Sequence, residues 1–141
     1  MFLRQCLSGA AALCLAASAF ATPTEDAQRH LGAIAGNDID ALMSTYADGA
    51  TMQWIGGPLD GTYAGREQLM DLWTRFAKAQ GKLDLAVFKI EEYGNPKGAT
   101  VSANARYRGN AQTKVRHVIV YRDGKIVSEV WQIDPSMQFQ Q

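Results

Sequence analysis

The side chains of this chain best suited to moving a proton are its two histidines, His30 and His117, together with Glu129. An imidazole changes charge near neutral pH, and a carboxylate beside it decides which ring nitrogen holds the proton. His117 lies in "KVRHVIVYR" and Glu129 in "KIVSEVWQI", on either side of the turn "RDG", so a hairpin would bring them together. The two form a candidate acid–base pair, and His30, in "EDAQRHLGAIAG", is a candidate to stabilise an oxyanion. His30 falls on an apolar helical stripe, where a histidine can equally be a core residue with its ring nitrogens satisfied. Two histidines and a carboxylate could hold a metal facially, but no local ligand spacing supports a metal, and no motif points to a cofactor. Trp54, Trp73, Tyr107, Ile119 and Trp131 are the candidate lining of a ligand pocket; the aromatic residues among them are core fillers unless an open cavity makes them stacking surfaces.

Before the elements that position these residues come into view, the beginning of the chain has to be set apart. "MFLRQCLSGAAALCLAASAFA" carries Arg4, an uncharged apolar run and Ala19-Phe20-Ala21, the pattern of a secretory signal peptide with its cleavage site. The run is short for a membrane span and rich in Ala, Ser and Gly, so the expectation is a soluble periplasmic or secreted protein with no membrane contact after cleavage. Removing residues 1–21 leaves 120 of the 141, one domain with one core (residues 22–141). Cys6 and Cys14 leave with the leader, so the mature chain has neither disulfide nor thiol chemistry. Without Arg4 the balance is 13 basic against 14 acidic residues, which favours neither nucleic acid nor an anionic membrane as partner.

Three helices are expected first. "TPTE" reads as a capped start with Thr22 as N-cap and Pro23 at the first helical position, and Ala27, His30, Leu31 and Ile34 share one face. A second helix opens near Asp38 with Ile39, Leu42, Met43 and Tyr46 in helical spacing, and a third runs from about Gly65 to Gln80 over Leu69, Leu72, Trp73 and Phe76. A short strand, "ATMQWIG", separates the last two, and four β-rich runs follow from Leu83 onward. Helices segregated from a mostly antiparallel sheet make the class α+β. In "VSANARY", Val101, Ala103, Ala105 and Tyr107 share one face, and the two alanines either admit a close helix or leave a void; Arg106 and Arg108 read as a solvated face, and the tail "PSMQFQQ" as frayed.

The register of the last hairpin decides which residues meet. A three-residue "RDG" loop with a G1 bulge pairs Tyr121 with Lys125 and sets His117 opposite Glu129, grouping both with Trp131 and leaving Val118, Val120 and Val130 on the other face. A two-residue loop over Asp123-Gly124 would set His117 opposite Val130 and turn Glu129 away. The first register is preferred. It predicts a homodimer through the outer sheet face, because the three valines form a patch a monomer would leave wet.

The order of elements, with "YADGATM", "GTYAGREQL" and "YRDGKIVSEVW", resembles the nuclear transport factor 2-like superfamily, in its SnoaL-like and ketosteroid-isomerase-like branch, from about Ala27 to Asp134. The resemblance implies a cone-shaped fold, a curved sheet wrapping helices around an apolar cavity, and commonly a dimer. It also implies what is missing. The isomerases' general-base aspartate falls on Trp54, their oxyanion-hole tyrosine on His30 and their protonated aspartate on His117, while the late-strand aspartate of the cyclases matches Trp131 or Gln132. An indole cannot abstract a carbon-bound proton, so Trp54 is expected to line or fill the cavity.

Two readings of function follow. One is an exported binding protein for a small, largely apolar molecule, without the family's carboxylate catalysis. The other is an isomerase, cyclase or lyase in which His117, assisted by Glu129, moves the proton on a small hydrophobic substrate.

Overall fold

The computed structural model describes residues 20–139, so the expected signal peptide lies outside the described residues except for Phe20 and Ala21. Helix α1 (Pro23–Ala35) begins as its sequence dictates: Thr22 Oγ1 accepts from the Glu25 N–H at 3.2 Å, and the Glu25 carboxylate accepts from the Thr22 N–H at 2.8 Å. This reciprocal cap satisfies two N–H groups that the first helical turn leaves open. Helix α2 (Ile39–Ser44) is capped by Asp38 and is shorter than expected. Tyr46 is not its last helical residue but the first of strand β1 (Tyr46–Ile55). A strand that the sequence reading did not foresee, β2 (Gly61–Ala64), precedes helix α3 (Gly65–Gln80). Strands β3 (Asp84–Asn95), β4 (Gly98–Arg108), β5 (Gln112–Arg122) and β6 (Lys125–Ile133) complete the chain.

The six strands form one sheet in the order β2-β1-β6-β5-β4-β3. Every neighbouring pair is antiparallel except β1 and β6, which run parallel and set Met52 beside Glu129 and Trp54 beside Trp131. The fold is α+β, three helices against a curved, mostly antiparallel sheet. Alternation puts Val101, Ala103, Ala105 and Tyr107 of β4 and Val115, His117, Ile119 and Tyr121 of β5 on the buried face. Against them lie Ala27, His30, Leu31 and Ile34 of α1 and Leu69, Leu72, Trp73 and Phe76 of α3. Each large apolar side chain buried this way contributes about 1.5–3 kcal/mol. Ala103 and Ala105 are both buried, and α1 packs across β4, so the small residues admit the helix.

The last hairpin has neither of the two registers considered. Its turn is a two-residue one, Asp123-Gly124, both with positive φ (49° and 71°), which fits the right-handed twist of the strands it joins. Arg122 pairs with Lys125 and Tyr121 with Ile126, but Val120 then pairs with Ser128, so Val127 is an extra residue bulged out of β6. The bulge shifts every later residue to the opposite face. Glu129 and Trp131 therefore point inward with His117, as the three-residue loop would have put them, but one step along: His117 faces Trp131, and Ile119 faces Glu129. Val118 pairs with Val130 on the outer face, where both are half-buried along with Val120.

The described part of the tail does not fray. Asp134 meets Arg116 at 3.3 Å, Lys114 Nζ donates to the Met137 carbonyl at 3.0 Å, and Met137 is buried. Phe139 stacks on Phe88 with ring centroids 3.7 Å apart, and Arg106 lies over both rings. This corrects the reading of Arg106 as merely solvated. A guanidinium over an aromatic face is attracted to its quadrupole.

Candidate functional site

Glu129 is fully buried in the core, and its hydrogen bonds come from two parts of the chain. His30 Nε2 of α1 lies 2.9 and 3.0 Å from its two oxygens, and the Tyr46 hydroxyl of β1 donates to Oε2 at 2.6 Å. Trp73 Nε1 of α3 donates to the Tyr46 oxygen at 3.0 Å. On the far side of the imidazole, His30 Nδ1 is 3.1 Å from Thr45 Oγ1, whose own proton goes to the Leu42 carbonyl at 2.6 Å. Thr45 Oγ1 can therefore only accept from Nδ1, while Nε2 faces an ionised carboxylate, which is acceptor only. Both ring nitrogens carry protons in this arrangement, and His30 with Glu129 forms a buried imidazolium–carboxylate pair. Burial alone would raise the Glu129 pKa, but the charge of His30 and the histidine N–H groups facing it outweigh that and hold it well below the carboxylate range. Burial, reinforced by Glu129, pushes the Tyr46 phenol well up, so it stays a donor.

His117 is bonded differently. Its Nε2 lies 3.1 Å from the Tyr107 hydroxyl, and its Nδ1 is 3.6 Å from Glu129 Oε1, too far for a hydrogen bond and without another partner. Burial lowers its pKa against the opposing pull of Glu129, so the ring is held neutral. The expected pair, His117 facing Glu129, is thus displaced by the bulge into a diagonal approach, and the carboxylate's close partner is His30. The sequence reading missed Tyr46 and Thr45. The spacing of Tyr46 from Ile39, Leu42 and Met43 is helical and hides its place in a strand, and the "DG" that follows is the available sign of a helix end.

The other candidates gather beside this knot. Trp54 stacks on Trp131 at 4.3 Å with planes 14° apart, and Tyr107 stacks on the other side of that cluster, 5.0 Å from Trp131. Trp73 and Phe76 meet the pair edge-on at 5.3 to 5.7 Å. The Trp54 side chain thus occupies the space between α3 and the sheet, at 3% exposure. Neither the Trp54 nor the Trp131 indole N–H finds an acceptor among the described residues. Ile119, paired with Glu129 across β5 and β6, is fully buried on the same face of the sheet. Among the described residues no group of His, Cys, Asp and Glu has a metal-binding arrangement.

A model of the SnoaL-like domain matches residues 27–129. The chain belongs to the SnoaL-like family. Solved structures agree on the fold. An NTF2-like protein of unknown function from Burkholderia xenovorans is 23% identical at a TM-score of 0.64, covering 81% of this chain and 84% of its own. One from Pseudomonas putida is 17% identical at 0.66, covering 82% and 87%. A ketosteroid isomerase-like protein from Erwinia carotovora atroseptica is 16% identical at 0.64, covering 77% and 90%. At these identities they share the fold with this SnoaL-like chain and lend it no chemistry. No curated protein matches it.

Proposed function

We propose that this SnoaL-like chain is an exported binding protein that takes a small, largely apolar molecule with an acceptor oxygen between α3 and the sheet, without acid–base catalysis. The observation that carries the reading is the pair of stacked indoles, Trp54 and Trp131, whose buried N–H groups have no acceptor in an otherwise aromatic wall. Each idle donor costs about 1–3 kcal/mol, and a carbonyl or hydroxyl oxygen lying against it would recover that. The enzyme reading is weakened by the state of its groups. Glu129 has both oxygens engaged and is a weak base, both His30 nitrogens are bonded, and His117 Nε2 is held by Tyr107. A ligand of this size has to displace Trp54. Titration of apolar ring ketones against intrinsic tryptophan fluorescence should show saturable binding, tightened about tenfold or more in Trp54→Ala, where the displacement is no longer needed. Absence of binding in both proteins would sink the proposal.

The same reading includes a homodimer through the outer sheet face. Its support is the half-buried strip of Val118, Val120 and Val130, with Val118 and Val130 directly paired. Light scattering should give twice the chain mass, falling to the single mass in Val120→Asp. A monomer at tens of micromolar would refute it.

A further inference from the structure

The tail beyond β6 lies across the outer face of the sheet, on a basic strip that the sheet itself leaves without counter-charge. Arg106 of β4 and Lys114 of β5 are directly opposite one another, and Arg116 follows two residues along, all three alternating with the buried residues and so on the face away from the helices. Like charges directly opposite disfavour the pairing of their strands. Among the described residues, the only carboxylate in an ion pair with any of the three is that of Asp134, 3.3 Å from Arg116. Lys114 Nζ donates to the Met137 carbonyl at 3.0 Å and to the Pro135 carbonyl at 3.4 Å, and it lies 5.6 Å from the Phe139 ring. Arg106 lies 5.4 Å from the Phe88 ring and 6.0 Å from that of Phe139, and the two rings stack on each other.

The tail is held on this strip by side chains and not as a seventh strand. The Asp134 N–H donates to the Lys114 carbonyl at 2.9 Å; past it no backbone-to-backbone hydrogen bond joins the described tail to the sheet, and the Met137 N–H turns back to the Asp134 carbonyl at 3.1 Å. What the strip selects is therefore a pattern of side chains: a carboxylate at Arg116, a buried apolar residue three on at Met137, and an aromatic ring five on at Phe139. Phe88, the extra residue bulged out of β3, stays 38% exposed with Phe139 stacked on it, so the ring end of the strip is open to solvent. We propose that this strip is a docking groove for an extended segment of a partner chain with that same pattern, and that residues 134–139 are its resident occupant, a competitor built into the chain. The partner's ring stacks on Phe88 beside Arg106, its carboxylate meets Arg116, and its carbonyls accept from Lys114. Val118 is four residues along β5 from Lys114, about 13 Å in a strand, so the groove is separate from the valine strip and rests neither on the dimer nor on the interior site.

The test is a ¹H–¹⁵N NMR titration of the purified protein with an N-acetylated peptide of the sequence DPSMQFQQ, that of residues 134–141, as probe. It is run against wild type and against Phe139→Ala, which frees the face of Phe88 and keeps the rest of the chain. In Phe139→Ala the peptide should shift the amides of Phe88, Arg106 and Lys114 saturably. Wild type should bind it about tenfold or more weakly, because its own tethered ring competes at an effective concentration of roughly millimolar. A peptide with Ala in place of its Phe should bind Phe139→Ala about tenfold more weakly than the parent peptide, and one with Asn in place of its Asp about threefold more weakly. Adding Phe88→Ala to Phe139→Ala should make the Phe and Ala peptides bind alike. Equal affinity for wild type and Phe139→Ala, no saturable binding to Phe139→Ala, shifts confined to other amides, or an Ala peptide that binds Phe139→Ala as tightly as the parent overturns the groove.

Discussion

The Trp73 and Trp54 rings are 5.7 Å apart in the same core, yet the Trp73 indole donates to the Tyr46 oxygen and the Trp54 indole to no acceptor among the described residues. The knot around Glu129 accounts for each of its polar atoms, through residues drawn from α1, β1, α3 and β6. A few ångströms away the stack of Trp54, Trp131 and Tyr107 is ordered by ring contact. The difference reflects what each region must satisfy. A buried charge without partners costs several kcal/mol and would not survive folding, whereas an idle indole N–H costs about 1–3 kcal/mol and is tolerated. The region that holds the charges is therefore chemically closed, and the neutral region keeps hydrogen-bonding capacity in reserve.

The largest effect should come from breaking the knot. Glu129→Gln leaves the His30 imidazolium buried without its anion and should lose about 3–5 kcal/mol in urea denaturation. Replacing His30 and Glu129 together by Leu should lose less than that single change, because no charge then remains to be satisfied. If the single and double variants are equally destabilised, the pair is not ionic. In the stack the expected loss is set by volume: Trp54→Ala should lose about 3 kcal/mol, with no pH dependence of its own, since no ionised group is touched.

Acid should act on His117 and Glu129 in sequence. The folded His117 pKa is lowered, so the unfolded chain takes up its proton first, and stability falls as pH drops below about 6.5 toward the folded value. Glu129 is also lowered, so its contribution is present above about pH 4.3, its unfolded value, and is lost further into acid. Both contributions therefore shrink as pH falls. The second phase should vanish in Glu129→Gln and persist in Trp54→Ala; a second phase unchanged in Glu129→Gln would assign it to another carboxylate.

Much of this arrangement is legible in the chain because it rests on local rules. The Thr22 cap, the apolar stripe that puts His30 inward, the bounds of α3 and the four late strands all follow from spacing and turn residues. What could not be read depends on contacts between distant segments. Val127 bulges where β6 pairs with β1 and β5, and nothing in "KIVSEVW" marks it. That one extra residue gives the same facing as a longer loop would, so Glu129 was assigned to the right face with the wrong partner. Tyr46 is the other instance. Its helical spacing is real, but its hydroxyl is needed by a carboxylate 83 residues later.

The parallel pairing of β1 with β6 bears on how the molecule comes to be folded. His30 and Glu129 are separated by 99 residues, and the middle of the sheet is closed by the last strand of the chain. Such long-range closure must meet its loop entropy before any contact rewards it, so folding is slow relative to a chain of local contacts. An incomplete chain has no β6, and a nascent polypeptide emerging from the ribosome cannot assemble its core early.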